Sequence, residues 1–107
     1  MSLKNTQHSL QREEVIALLN SHKSSIQEFQ VESLLIFGSV ARNEASAESD
    51  VDLLVEFQFH STVGLFTFVR LQRYLETILG CKVDLGTPDS LKDDLREVVL
   101  QEAIRAF

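Results

Sequence analysis

The sequence predicts a small α/β layered fold. Three observations carry this. A continuous apolar run, Leu34-Leu35-Ile36-Phe37, ends at a glycine. Two later runs, Asp50 to Phe57 and Lys82 to Leu85, mix apolar and acidic residues in a strand-like pattern. Segments with apolar residues at helical spacing separate them, and strands alternating with helices give layered α/β architectures. At 107 residues with 44% apolar and 24% charged residues, the expectation is one soluble domain of three or so strands and four or five helices, spanning 1–107.

In chain order, a first helix is expected from Ser9, a residue suited to an N-cap, with Leu10, Val15, Ile16, Leu18 and Leu19 on its apolar face. It breaks within Asn20 to Ser25 and resumes through Ile26 and Phe29. Leu34 to Phe37 reads as a strand buried on both faces, because no polar residue interrupts it. Gly38-Ser39 turns the chain into a short helix over Val40 to Glu44, and Ala45 to Ser49, small and polar, is a loop. After the second strand, Thr62 caps a long helix carrying Leu65, Phe66, Val69, Leu75, Ile78 and Leu79, which Gly80 closes in a left-handed conformation. The third strand follows. Pro88 punctuates its exit. A last helix runs from about Leu91 to Ala106 with Leu95, Val98, Val99 and Ile104 inward.

Asp50 and Asp52 are two apart on a strand, so both side chains leave one face while Val51 and Leu53 leave the other. Aspartate is depleted in strands, and like charges on one face repel. A hard divalent cation relieves that repulsion, and Mg²⁺ is commonly held by one or two carboxylates plus substrate phosphates. Asp84 repeats the pattern on the third strand, where Cys81, Val83 and Leu85 alternate with Lys82 and Asp84. If the two strands are neighbours, three carboxylates converge, enough for two metal ions. Gly38 permits close backbone approach, and Ser39 offers an N–H and a hydroxyl to an anion, as a helix cap or as a phosphate ligand. Arg42 has two roles open to it, a phosphate contact or a surface ion pair.

The ordered set Gly38-Ser39, ten residues, Asp50-Val51-Asp52 and a later Asp84 resembles the signature of the DNA polymerase beta nucleotidyltransferase superfamily. The stretch GSVARNEASAESDVDLLVEF and the tail from Lys82 to Lys92 are similar to its smallest members, the minimal nucleotidyltransferases (MNT). The resemblance extends from the first helix to the last. It implies metal binding by Asp50, Asp52 and Asp84, with Asp84 also orienting or deprotonating the acceptor hydroxyl. Gly38 and Ser39 would position the triphosphate. It implies ATP as co-substrate with two Mg²⁺ ions, AMP transfer to a tyrosine of a HEPN-domain toxin, and an antitoxin role in complex with that toxin. One position departs from the family: Asn43 stands where glycine is usual, and asparagine tolerates left-handed backbone better than most residues.

Composition narrows the field further. A net charge of −6 disfavours direct nucleic-acid binding, which relies on clustered Lys and Arg. The same acidity suits a basic, RNA-cleaving partner. Cys81 is the single cysteine, so an internal disulfide is impossible, which suits a reducing cytoplasm. Met1 to Gln11 lacks a signal-peptide core, and no apolar run approaches the about 20 residues of a membrane helix. Two rivals to the toxin-modifying enzyme are a binding-only antitoxin without turnover and a small-molecule (antibiotic) nucleotidyltransferase; the latter usually adds a substrate domain for which this length leaves no space. Glu44, Glu48 and His60 read as solvated or structural, Cys81 as core, and Phe57, Phe59, Phe66 and Phe68 as core or a partner-facing patch.

Overall fold

The computed structural model describes residues 10–46, 50–59 and 61–107. Helix α1 (Arg12–Ser21) breaks at His22 and α2 (Lys23–Gln27) follows, inside the predicted interruption. The expected Ser9 cap lies outside the described residues. Gln11 holds the N-cap position, with Glu14 reaching back to the Gln11 N–H at 2.8 Å. Strand β1 (Val31–Phe37) leads into the one-turn helix α3 (Gly38–Ala41), and β2 (Val51–Phe57) into the long helix α4 (Leu65–Leu79). Strand β3 (Val83–Gly86), a 3-10 turn (Pro88–Ser90), helix α5 (Asp93–Glu102) and strand β4 (Ile104–Arg105) complete the chain.

The sheet order is β3-β2-β1-β4. β1 pairs antiparallel with β2 and with β4, while β2 and β3 are parallel and joined over α4. One face of the sheet, carrying Leu34, Ile36, Leu53, Val55, Val83 and Leu85, packs against Val15, Leu19, Ile26, Leu71 and Leu75. Alternation along each strand then sends Leu35, Phe37, Asp52, Leu54, Glu56 and Asp84 to the opposite face. There Ser33 donates a hydrogen bond to Glu56 across the β1–β2 pair. The connection leaving β3 passes over this second face: Ser90 Oγ and a Leu54 methyl stand 3.4 and 3.8 Å from where a Gly86 Cβ would be.

Four expectations are corrected. There are four strands among the described residues, not three: the last helix ends at Glu102, Ala103 turns extended (ψ 145°), and Ile104 and Arg105 pair with Ile36 and Leu35. Two residues are too short to show an alternation, so β4 reads as helix in the sequence. Gly64, not Thr62, caps α4, and Gly80 ends it left-handed (φ 71°) as predicted. The buried stripe of α4 is Leu71, Leu75 and Leu79, four apart; Leu65 and Phe66 lie in the first turn, off that stripe, and are 77% and 88% exposed. Likewise Leu95 and Val98 do not face inward: no residue of α5 is fully buried, and each of these two is 53% exposed.

These placements separate two leucines in energy. Leu53→Ala should cost about 2–5 kcal/mol of unfolding free energy, whereas Leu95→Ala should stay within about 0.5 kcal/mol. Urea titrations of both variants check this. A large loss at Leu95 would mean that α5 is buried after all.

Candidate active site

The functional face is built at one end of the sheet, where β1 finishes and β2 and β3 begin. In the parallel register, Asp52 stands directly opposite Asp84, and in the antiparallel one Phe37 stands opposite Asp52. Adjacent strands are about 4.8 Å apart, so the two carboxylates share one face at close quarters. Asp50 precedes β2 by one residue and is exposed, as is Asp84, while Asp52 is half-buried. Burial raises the Asp52 pKa, and the charges of Asp84 and then Asp50 raise it further; Arg42 opposes them weakly. All three predicted carboxylates are therefore felt at one atom group. They do not close into a ligand set by themselves: among the described residues no group of three His, Cys, Asp or Glu side chains is drawn together tightly enough to hold a metal. Three like charges opposed by one distant guanidinium have every reason to stay apart.

Gly38 completes this end of the sheet. Its φ is +75°, in the left-handed region, and a Cβ built there would overlap Asp52 Oδ2 and lie 3.1 Å from Asp52 Cγ. Only glycine lets the turn lie against that carboxylate. Phe37, extended, takes the N-cap position of α3 without a side-chain bond, so Ser39 is not the cap. Asn43 adopts φ 58°, the left-handed turn that its residue type tolerates. Its side chain does more than tolerate it: Asn43 Oδ1 accepts the Arg12 N–H at 3.2 Å, and Arg12 Nη1 donates to Ala41 O at 3.0 Å. The start of α1 is thus fastened to the turn.

Arg42 takes the ion-pair option. Its guanidinium lies 2.9 Å from Glu44 and 3.3 Å from Glu102, which raises its pKa, first through the Glu44 hydrogen bond. Sequence reasoning missed two further residues. Gln72 and Glu76, one turn apart on α4, grip the free edge of β3: Gln72 Nε2 donates to Val83 O at 2.9 Å, and Glu76 Oε2 accepts the Val83 N–H at 3.0 Å. This satisfies the backbone beside Asp84 and fixes the strand that carries it. The legible signal was a polar pair at i, i+4 within an apolar helix. Cys81 is half-buried against the core; burial, then Asp50 and Glu76, raise its pKa and keep it a thiol.

The donor set is all carboxylate oxygen, net negative and partly shielded, which fits a hard divalent cation such as Mg²⁺. A raised native pKa at Asp52 means that the folded state holds the proton more tightly than the unfolded chain. Its cost to stability therefore grows as pH rises from the ordinary carboxylate range, about 4, through its raised native value. In metal-free buffer Asp52→Asn should melt above wild type near neutral pH, and the gap should close toward about pH 4. Thermal melts across pH decide; a gap independent of pH contradicts the electrostatic origin.

Comparison with known proteins places the family. Residues 19–106 match the nucleotidyltransferase domain family. The protein adenylyltransferase MntA of Thermococcus cleftensis is 41% identical over 93 residues, 86% of this chain and 92% of its own. A solved structure described as a minimal nucleotidyltransferase superposes with a TM-score of 0.75 at 38% identity, covering 89% of this chain and 95% of that one. The fold alone is shared, at 18% identity and a TM-score of 0.62, with a chain from a complex of a tri-AMPylated Shewanella oneidensis HEPN toxin and its MNT antitoxin; the match covers 87% of this chain and 71% of that one. The chain belongs to the nucleotidyltransferase domain family, as one of its minimal nucleotidyltransferases.

Proposed function

We propose that this chain transfers AMP from ATP to a tyrosine hydroxyl of a HEPN-domain toxin, releasing pyrophosphate and acting in the cytoplasm as the toxin's antitoxin. The observation that carries the reading is the in-register pair Asp52–Asp84, with Asp50 beside it, set against a turn that only glycine can make. That arrangement suits phosphoryl chemistry at a triphosphate. The protein acceptor is supported by the adenylyltransferase relative, which matches this chain over 92% of its own length. The HEPN class follows the MNT resemblance and the complex of the Shewanella neighbour.

Each residue then has a task. Gly38 lets the triphosphate approach the backbone, and Ser39 donates its N–H and hydroxyl to phosphate oxygens. Asp50, Asp52 and Asp84 hold Mg²⁺, two ions in our reading, which when bound neutralises the triphosphate and polarises the α-phosphate. Asp84 orients the tyrosine hydroxyl and accepts its proton as the phenolic oxygen bonds to the α-phosphorus and the bond to pyrophosphate breaks. Arg42 reaches the nucleotide by releasing Glu44 or Glu102, and exposed ion pairs of that kind are worth only about 0–1 kcal/mol. AMP on the tyrosine adds bulk and negative charge to a surface that must accept RNA, which repels it.

Two measurements test this. Toxin, ATP and Mg²⁺ mixed with the wild-type chain should yield toxin heavier by whole AMP units on intact mass spectrometry, and with Asp84→Asn none. An inhibited but unmodified toxin would identify a binding-only antitoxin instead. Ser39→Ala should weaken ATP binding by about 1.5–3 kcal/mol, the worth of a hydrogen bond to a charged group, with little change in melting temperature, since Ser39 caps no helix. Unchanged affinity by calorimetry would remove Ser39 from the nucleotide site.

A further inference from the structure

Helix α5 is amphipathic, yet none of its residues is fully buried. It packs on β1 and α3, and its half-buried positions, Arg96, Val99 and, just past its end, Ala103, form one narrow line. Beside that line, at the same i, i+3, i+7 spacing, run Leu95, Val98 and Glu102. Leu95 and Val98 are each 53% exposed, so an apolar stripe lies open along the helix. Its direction ties it to the active site: the stripe ends at Glu102, which pairs with Arg42 at the close of the Gly38–Ala41 turn.

Acidic residues predominate around the stripe. Asp93, Asp94, Glu97 and Glu102 are acidic, and Arg96, the one basic residue within the helix, lies 3.5 Å from Asp93 while its Nε donates to Pro88 O at 2.9 Å and its Nη2 to Leu91 O at 3.3 Å. Lys92 lies at the helix start, at the opposite end from Glu102. A second copy of this chain would set acid against acid, at −6 per copy. Nucleic acid and anionic lipid are repelled in the same way.

We propose that the Leu95–Val98 stripe is the docking surface for the protein acceptor, and that it receives an amphipathic helix of the partner with Leu, Ile or Val at i, i+3 or i+4 flanked by Lys or Arg. Such a helix buries the stripe, pairs with Asp94 and Glu97, and lies against the Arg42–Glu102 corner. The partner's hydroxyl is thereby carried toward Asp52 and Asp84 by contacts that spend nothing on the reacting atoms.

This inference rests on the reading of the acceptor as a HEPN toxin, and the experiment separates the two. A purified HEPN-domain toxin is the probe, titrated against wild type, Leu95→Gln/Val98→Gln, and Phe66→Gln. Phe66, 88% exposed, is a more exposed apolar residue in the first turn of α4, which follows the end of β2 far from Asp52. The double variant should bind the toxin about tenfold or more weakly and raise the KM for toxin, with ATP affinity and melting temperature unchanged. Phe66→Gln should behave as wild type, and added salt should weaken the wild-type complex. The docking assignment is overturned if the double variant binds as wild type, if Phe66→Gln carries the loss, if the wild-type chain forms no complex, or if sedimentation shows the stripe holding two copies of this chain together. A wild-type complex that forms through the stripe without any gain of AMP upholds the docking surface and sinks the transfer reading alone.

Discussion

Asp52 and Asp84 face each other across two parallel strands, and holding these carboxylates side by side shapes most of the surrounding structure. Repulsion at this spacing, joined by Asp50, works against the very register that creates the site. The fold answers with apolar packing behind the pair: Val51, Leu53, Val83 and Leu85 point into the core and hold each strand by its other face. It also answers at the edge, where Gln72 and Glu76 grip the backbone of Val83 from outside. A strand end that would otherwise fray is held on three sides, and the charged face stays in place.

The Gly38 turn is a second arrangement of this kind. Its left-handed backbone brings it against Asp52, and its exit at Asn43 is left-handed again. Two positive-φ residues around one helical turn would make a loose corner in isolation. Arg12 stiffens it, through its backbone N–H to the Asn43 side chain and its guanidinium to Ala41 O. Asparagine tolerates this backbone conformation, and its side chain makes a bond that a glycine here would have no atom to make.

Much of the fold was legible because its strands are written in residue type. Leu34 to Phe37 and Val51 to Val55 leave little choice other than buried strands, and Gly80 marks its helix end without ambiguity. The shared face of Asp52 and Asp84 was legible because alternation fixes which side chains leave each strand together, and because Gly38-Ser39 stands at a set distance before Asp50. What was not legible depends on partners distant in sequence. β4 exists because β1 has an open edge, not because Ile104-Arg105 prefers to be extended. Leu95 and Val98 have the spacing of buried residues, and only the position of the helix over the sheet shows that they are not. Arg42 had two roles open to it in the sequence, and its ion pair with Glu102, sixty positions away, shows only once the chain is folded.

The parallel pairing of β2 with β3 also sets the order in which the molecule can come together. The β1–β2 hairpin and the individual helices close over short stretches of chain, but Asp84 reaches Asp52 only after the whole of α4 has formed and folded back. Contacts of such sequence separation are among the last that a folding chain makes, because loop closure must be met before they reward it. The two carboxylates therefore meet as β3 docks and adds Val83 and Leu85 to the core. A chain in which β3 has come away from β2 keeps both aspartates and loses their juxtaposition, so the carboxylate pair reports that β3 is docked.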